Sequence, residues 1–249
     1  MTLIAQITDP HLRVDGRDPA HDPAKAIRRA FARIAAMKVR PEAIVLTGDI
    51  IDRSAPDYAH ALPLLREAPV RVLPLSGNHD RPGAFRAAFS GHVAFARDHL
   101  SFVEPVGDVL VVGIDSNLPD GSGGVDAARL DWLAEVLGKA DAPVILALHH
   151  PPFLTHTAHV DDDGFAGAEA LASCIGGSPV IRVIAGHTHR GMQTLWAGIP
   201  ASTCAAIGYG LSLSLSGDPH EPVDTPPGFE LHSFRSGGLV THPVTLPLS

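Results

Sequence analysis

Short apolar runs at residues 3–8, 43–47, 70–75, 109–114, 144–148 and 180–185 each end in polar residues, and helical patterns separate several of them. Runs of this length without alternation read as strands buried on both faces. Strands alternating with helices imply βαβ units, and in such sheets ligands sit beyond the carboxyl ends of the strands, where the polar residues fall here. The clearest helix covers residues 22–38, with Asp22 as N-cap, Pro23 at the first helical position, and Ile27, Phe31 and Ile34 on one face. A second follows an Asp126 cap and buries Leu130, Leu133 and Leu137; a third covers residues 166–175 and stops at Gly176-Gly177.

After His189 the pattern changes. Residues 193–206 and 228–246 read as hairpins, the latter turning at Ser236-Gly237-Gly238. The expectation is a mixed β tail belonging to the same domain, so that residues 1–249 form one unit. Within that tail, residues 207–227 are rich in Gly, Ser and Pro and carry Tyr209 and alternating Leu211, Leu213 and Leu215. The segment reads as a lid, a contact in a homodimer or higher oligomer, or a surface loop.

Hydrophobic residues make up 45% of the chain and charged residues 18%, a balance that supports a sizeable buried core. The net charge of −8 opposes tracking along an extended nucleic acid, while leaving room for a small anion if bound cations reverse the local field. No leader pattern and no membrane-spanning run is visible, so the expected location is cytoplasmic, with no membrane partner. Cys174 and Cys204 lack ligand or redox spacing and read as buried free thiols.

The chemistry-bearing residues stand at the strand ends: Asp9-Pro10-His11, Gly48-Asp49, Gly77-Asn78-His79-Asp80, His149-His150-Pro151-Pro152 and Gly186-His187-Thr188-His189. One such motif alone is a common loop feature. For all of them to be structural, several unrelated loops must have selected metal-ligating side chains independently. Carboxylate oxygens mixed with imidazole nitrogens suit Mn, Fe, Zn, Co or Ni rather than Ca or Mg. A carboxylate such as Asp49 can bridge two such ions ~3.5–4 Å apart and leave an acidified water between them.

These motifs, in this order, resemble the calcineurin-like metallophosphoesterase superfamily, whose D-x-H, GD, GNH[DE], H and GHxH elements spread over residues 1–190. The resemblance implies an α/β fold, an αββα sandwich of two mixed β-sheets flanked by helices. It also implies two transition-metal ions (Mn, Fe, Zn or Co), the first held by Asp9, His11, Asp49 and His189 and the second by Asp49, Asn78, His149 and His187. His79 matches the histidine that faces the substrate phosphate and protonates the leaving group, with Asp80 as its expected orienting partner. His150 is expected to pack behind the ligands, because successive strand residues point to opposite sides. Arg53 and Arg81 are read either as phosphate clamps or as solvated loop residues. Asp161-Asp162-Asp163, beside His156 and His159, reads as an acidic loop rather than a second metal site.

Within the superfamily, Gly77-Asn78-His79-Asp80, Ile114-Asp115-Ser116, His149-His150-Pro151-Pro152 and Pro226-Pro227-Gly228-Phe229 resemble the bacterial class III cyclic nucleotide and glycerophosphodiester phosphodiesterases. That resemblance implies hydrolysis of a small phosphodiester by a metal-bridging hydroxide attacking in line with the leaving alkoxide. The alternatives are a phosphomonoesterase of the same fold and a non-catalytic protein-interaction scaffold. The latter is disfavoured because every assignable motif position holds a competent ligand.

Overall fold

Burial on both sides is what makes the apolar runs strands rather than helix fragments. The structure, a computed structural model, describes residues 1–14, 22–215, 220–236 and 238–247. Along the chain lie β1 (Thr2–Ile7), α1 (Pro23–Ala35), β2 (Ala43–Thr47), α2 (Leu62–Leu65), β3 (Arg71–Leu75), α3 (Pro82–Phe89), β4 (Phe102–Val106), β5 (Val109–Gly113) and α4 (Ala127–Lys139). They are followed by β6 (Val144–Ala147), α5 (Ala158–Asp161), α6 (Ala168–Ile175), β7 (Val180–Ala185), β8 (Met192–Trp196) and β9 (Ile199–Thr203). The tail adds β10 (Gly210–Leu211), β11 (Pro222–Val223), β12 (Gly228–Arg235) and β13 (Gly238–Thr245).

One sheet has the order β13-β12-β1-β2-β3 and the other β4-β5-β6-β7-β9-β8. Because side chains alternate between faces, each central strand feeds two layers. Leu3, Ala5 and Ile7 of β1 pack with Ile27, Phe31 and Ile34 of α1. Ile4, between them, joins Val45, Leu73, Phe102, Val111 and Ile145 in the layer between the sheets. On the far side, Val112, Leu146 and Val183 turn outward to Leu133 and Leu137 of α4 and Leu171 and Ile175 of α6. The result is the expected αββα layering.

The expected caps are present: Asp22 accepts from the Lys25 N–H at 2.9 Å and Asp126 from the Arg129 N–H at 3.0 Å. The first helix ends sooner than its periodicity suggested, at Ala35, and α6 starts two residues later than expected, after Gly167. Strand β4 gave no clear signal because it carries Glu104 and Pro105, residues an edge strand tolerates. Both expected hairpins form, and β9 also pairs in parallel with β7.

β1, β2 and β3 run parallel in one sheet, as do β5, β6, β7 and β9 in the other. The ligand motifs follow the carboxyl ends of both sets. The start of the 207–227 segment is tied to the end of β1 by Ile207 N–H to the Thr8 carbonyl (2.9 Å) and Gly208 N–H to the Asp9 carbonyl (3.3 Å). Farther along, Leu211 is half-buried, and Leu213 and Leu215 are exposed. Cys174 and Cys204 are free, the latter buried. Among the described residues, no helix is long and apolar enough to cross a membrane.

The layer between the sheets is not apolar throughout. Glu230 of β12 lies buried 3.5 Å from the Ser202 hydroxyl, and Arg182 donates to the same hydroxyl at 2.8 Å. Burial pushes the Glu230 carboxyl up to about 7, against the opposing pull of Arg182. A folded-state pKa above the unfolded value of 4.5 means that the carboxyl's contribution is fully present below pH 4.5 and is lost as pH rises through about 7. Glu230→Gln fixes the neutral form, so urea unfolding is expected to show the variant equal to wild type at pH 4. At pH 8 it should be more stable by about 1–3 kcal/mol, at ~1.4 kcal/mol per pKa unit. An equal difference at both pH values would show that the carboxyl does not titrate in this window.

Candidate metal centre

The loops that leave the strand ends are bent into conformations that ordinary residues avoid. Asp9, His11, Asp49, His187 and His189 all sit in the left-handed region, with φ of 50°, 47°, 50°, 70° and 54°. Such backbone costs of order 1–3 kcal/mol per residue and persists only where the surroundings over-determine it. Glycines make the approach close enough: a Cβ on Gly48, itself at φ +95°, would lie 2.3 Å from His149 Nδ1, and one on Gly186 would lie 2.1 Å from Thr8 Oγ1.

All seven residues expected to bind metal converge. His11 Nε2 lies 3.0 Å from His189 Nε2, 3.5 Å from Asp49 Oδ2 and 3.9 Å from Asp9 Oδ1. His149 Nε2 lies 3.0 Å from Asn78 Oδ1 and 3.5 Å from Asp49 Oδ1. The two Asp49 oxygens therefore face different imidazoles. The His187 ring lies beside His149 and His150, with nitrogens of all three within 4.8 Å of one another. Its backbone N–H donates to Asp9 Oδ2 at 3.0 Å, and the Thr8 hydroxyl donates to the same oxygen at 2.6 Å.

The donor chemistry fits a cation. A carbonyl only accepts, so His189 Nδ1, 2.8 Å from the Tyr209 carbonyl, and His149 Nδ1, 2.8 Å from the Thr47 carbonyl, carry hydrogens. In the neutral rings this leaves bare Nε2 lone pairs facing the cluster, the arrangement a metal ligand needs. Asp9 Oδ1 is buried with no hydrogen-bond partner. Lone pairs converging away from water repel one another unless positive charge lies between them.

The titration behaviour points the same way. Burial raises the Asp9 carboxyl and drives His11 down to about 3 and His187 well below its usual value. Burial also disfavours the charged form of Asp49, yet His149 and the neighbouring imidazoles hold its carboxyl well below the usual range. His149 itself is pulled down by burial, but Asp49 and Asp9 outweigh this and lift it to about 9. The carboxylates that raise His149 are the same negative charge that would draw a cation to this site.

Two expectations need correction or refinement. Asp80 does not orient His79. Its carboxylate accepts from Tyr58 OH (2.6 Å) and from the N–H groups of Gly77 (2.8 Å), Ile50 (3.2 Å) and Ile51 (3.4 Å), so it braces the loops after β2 and β3. Burial first and Asp49 second raise it to about 7. His79 is instead set by the Arg53 N–H, which donates to Nδ1 at 3.3 Å, and its Nε2 points to Asp49 Oδ2 at 3.9 Å. His150 is backed by Ser116, whose hydroxyl lies 2.9 Å from Nδ1, as expected of a packing role. Its ring nonetheless reaches the edge of the His149–His187 group.

A cavity of about 710 Å³ adjoins this centre, and its lining includes Asn78, His150 and His187 together with the apolar Phe153, Phe165 and Trp196. Arg53 and His156 also line it. The Arg53 guanidinium donates to the Asn78 carbonyl at 3.4 Å, whereas Arg81 turns to the Arg53 carbonyl at 3.5 Å. Asp161 closes a turn by accepting from the Thr155 N–H and hydroxyl, both at 2.8 Å. The carbonyls of Thr47 and Tyr209 leave no mark in the sequence, since any residue type supplies one, and Tyr58 lies in an unremarkable loop.

Residues 2–191 match the family model described as calcineurin-like phosphoesterase. The chain belongs to that family. As a calcineurin-like phosphoesterase it is a metal-dependent phosphoric ester hydrolase. It is 32% identical to a probable glycerophosphodiester phosphodiesterase, GpdQ, of Arcobacter nitrofigilis, over 96% of this chain and 92% of that protein. It is 31% identical to a probable cyclic nucleotide phosphodiesterase of Rhodococcus erythropolis, over 86% of this chain and 73% of that one. A dimetal phosphatase from Danio rerio shares the fold, with a TM-score of 0.71 at 16% identity and 98% coverage of both chains.

The close approach at Gly48 gives this phosphoesterase a sharp test. Gly48→Ala must displace His149 or the backbone, and it adds strain of about 1–2 kcal/mol at a positive φ. The variant is expected to fold, by circular dichroism, with a modestly lowered melting temperature, and to lose most of its bound metal by elemental analysis. Full metal content would show that the His149 position tolerates the shift.

Proposed function

We propose that the chain is a dinuclear-metal phosphodiesterase acting on small phosphodiesters of the cyclic nucleotide or glycerophosphodiester type. The observation that carries this reading is the Asp49 carboxylate, one oxygen 3.5 Å from His11 Nε2 and the other 3.5 Å from His149 Nε2. A carboxylate so placed can serve both metal positions. Asp9, His11 and His189 would complete one, and Asn78, His149 and His187 the other. Held there, a pair of transition-metal ions would supply positive charge to polarise a phosphoryl oxygen and to acidify a water.

The remaining work falls to the chain's own side chains. Because His79 Nδ1 accepts from the Arg53 N–H, the neutral ring carries its hydrogen on Nε2, the atom that faces the cluster. From there it would donate a hydrogen bond to the leaving oxygen and stabilise the negative charge that develops there as the P–O bond breaks. Asn78 is held by the Arg53 guanidinium through its carbonyl, which fixes the amide beside His149. The apolar lining of Phe153, Phe165 and Trp196 gives the cavity room for an organic arm next to the phosphorus. A diester uses that room on either side of the phosphate more fully than a monoester does, and the names of both relatives support the same choice.

With Mn-loaded protein, an aryl phosphodiester is expected to turn over faster than the corresponding monoester, after which cyclic AMP and glycerophosphodiesters separate the two substrate types. A strong monoester preference would favour the phosphomonoesterase reading instead. Asp49→Ala should abolish turnover and lower metal content together. His79→Ala should cost roughly 10²–10⁴ in kcat while metal content stays at the wild-type level. Metal loss in the His79 variant would make it a ligand rather than a hydrogen-bond donor to the leaving oxygen.

A further inference from the structure

The two sheets each contribute part of the metal cage. Asp9, His11, Asp49 and Asn78 follow strands of the first sheet, and His149, His187 and His189 follow strands of the second. Most of the layer between the sheets is apolar. Apolar packing is non-directional, so it holds two sheets together without fixing how far one is offset along the other. A cage that spans both sheets needs that offset fixed by directional bonds.

Gln6, wholly buried on the inner side of β1, supplies them. Its Nε2 lies 2.9 Å from the carbonyl of Ala185, the last residue of β7, and 3.1 Å from the hydroxyl of Thr47, the last residue of β2. A carbonyl only accepts, so the amide nitrogen belongs there and Oε1 faces the other way, 3.1 Å from His232 Nε2. His232 therefore donates through Nε2, and its Nδ1 accepts from the Thr241 hydroxyl at 2.9 Å. Both amide hydrogens and the amide oxygen are engaged, and His232 and Thr47 are themselves buried. Each acceptor adjoins the cage. Ala185 precedes Gly186-His187, Thr47 precedes Gly48-Asp49, and the Thr47 carbonyl accepts from His149 Nδ1 at 2.8 Å.

We propose that Gln6 is a positioning residue for the metal centre: its amide bridges the ends of β2 and β7 and thereby sets the separation of the ligands that the two sheets supply. The proposal rests on the two-metal reading of the site. A buried, fully satisfied polar side chain in a largely apolar layer specifies one arrangement out of several of similar packing energy. Gln6 touches no substrate and ligates no ion; it acts through the backbone of the loops it holds.

The test uses the full chain and manganese alone. Gln6→Met keeps the length and burial of the side chain and removes both donors. Manganese affinity, measured by competition with a chelating dye, is expected to fall about 10–100-fold, the usual effect of losing a partner that orients a ligand. Thr47→Val removes one arm of the bridge and should fall between wild type and Gln6→Met. Val109→Ala loosens the apolar layer away from these bonds, and should lower the urea midpoint while keeping wild-type affinity. Electron paramagnetic resonance gives a second readout, with altered spin coupling between the manganese ions in Gln6→Met and unchanged coupling in Val109→Ala. Wild-type affinity in Gln6→Met, or an equal loss in Val109→Ala, overturns the role of Gln6. If Gln6→Met does not fold, Thr47→Val compared with Val109→Ala decides the same question. Wild-type protein that takes up fewer than two ions overturns the two-metal reading itself, a result distinct from an intact wild-type centre with an unaffected variant.

Discussion

The Asp49 carboxylate is shut away from water, with each oxygen 3.5 Å from a different imidazole, and the organisation of the molecule follows from keeping it there. Removing a carboxylate from water costs several kcal/mol unless charge and hydrogen bonds compensate. The His79 N–H gives one bond, at 2.8 Å to Oδ1. The rest of the compensation has to be positive charge. Imidazole nitrogens converging around the carboxylates are the donor set that a cation would complete. The family's dependence on metal accords with that need, and the same region also carries backbone strain. The conformations of Asp9, His11, Asp49, His187 and His189 make sense on the same account, because loops this contorted hold only when well-packed strands fix both of their ends.

Those strands explain why an αββα sandwich suits such a site. Parallel strands in each sheet bring their carboxyl ends to one edge, and face-to-face packing puts two such edges side by side. Loops from both sheets can then enclose a small volume from opposite sides. The arrangement also divides labour. The outer helices and the apolar layers stabilise the fold, while the polar contacts of Asp80 and of the Thr47 and Tyr209 carbonyls serve to aim side chains. Asp80 illustrates the division: it sits beside a ligand in sequence and gathers Gly77, Ile50, Ile51 and Tyr58 into one brace without facing His79.

Much of this was legible in the chain because the physics that builds it is local. Apolar runs bounded by polar residues marked β1, β2, β5, β6 and β7 to within a residue or so, since central strands must be apolar on both sides. Asp22 and Asp126 marked helix starts because capping needs a short polar side chain at one position. The ligands were legible because metal binding restricts the residue type itself. What stayed hidden depends on where side chains point. Strand β4, with its glutamate and proline, is permitted only by its place at an edge. His232, which belongs to none of the strand-end motifs, is buried between the sheets and bonded to Gln6, a contact across 226 positions. His79 and Asp80 are adjacent in the chain, and adjacency suggested a pairing that the Arg53 backbone makes instead.

The same distinction separates the reaction from its substrate. A metal cage stabilises charge on any phosphoryl group, so the motifs that build it specify phosphoester chemistry and stop there. On the phosphodiesterase reading proposed above, discrimination among esters falls to the lining of the adjoining cavity, where Phe153 follows the His149 motif directly while Phe165 and Trp196 come from other loops and strands. These residues carry no restriction as tight as metal ligation, because many apolar side chains fill similar space. Arg53 stands where the two requirements meet. Its backbone sets His79, its guanidinium holds the Asn78 carbonyl, and its side chain lines the cavity, so any change that tunes the cavity at this position also disturbs the placement of His79 and Asn78. Specificity in this protein is therefore freer to vary at Phe153, Phe165 and Trp196 than at Arg53.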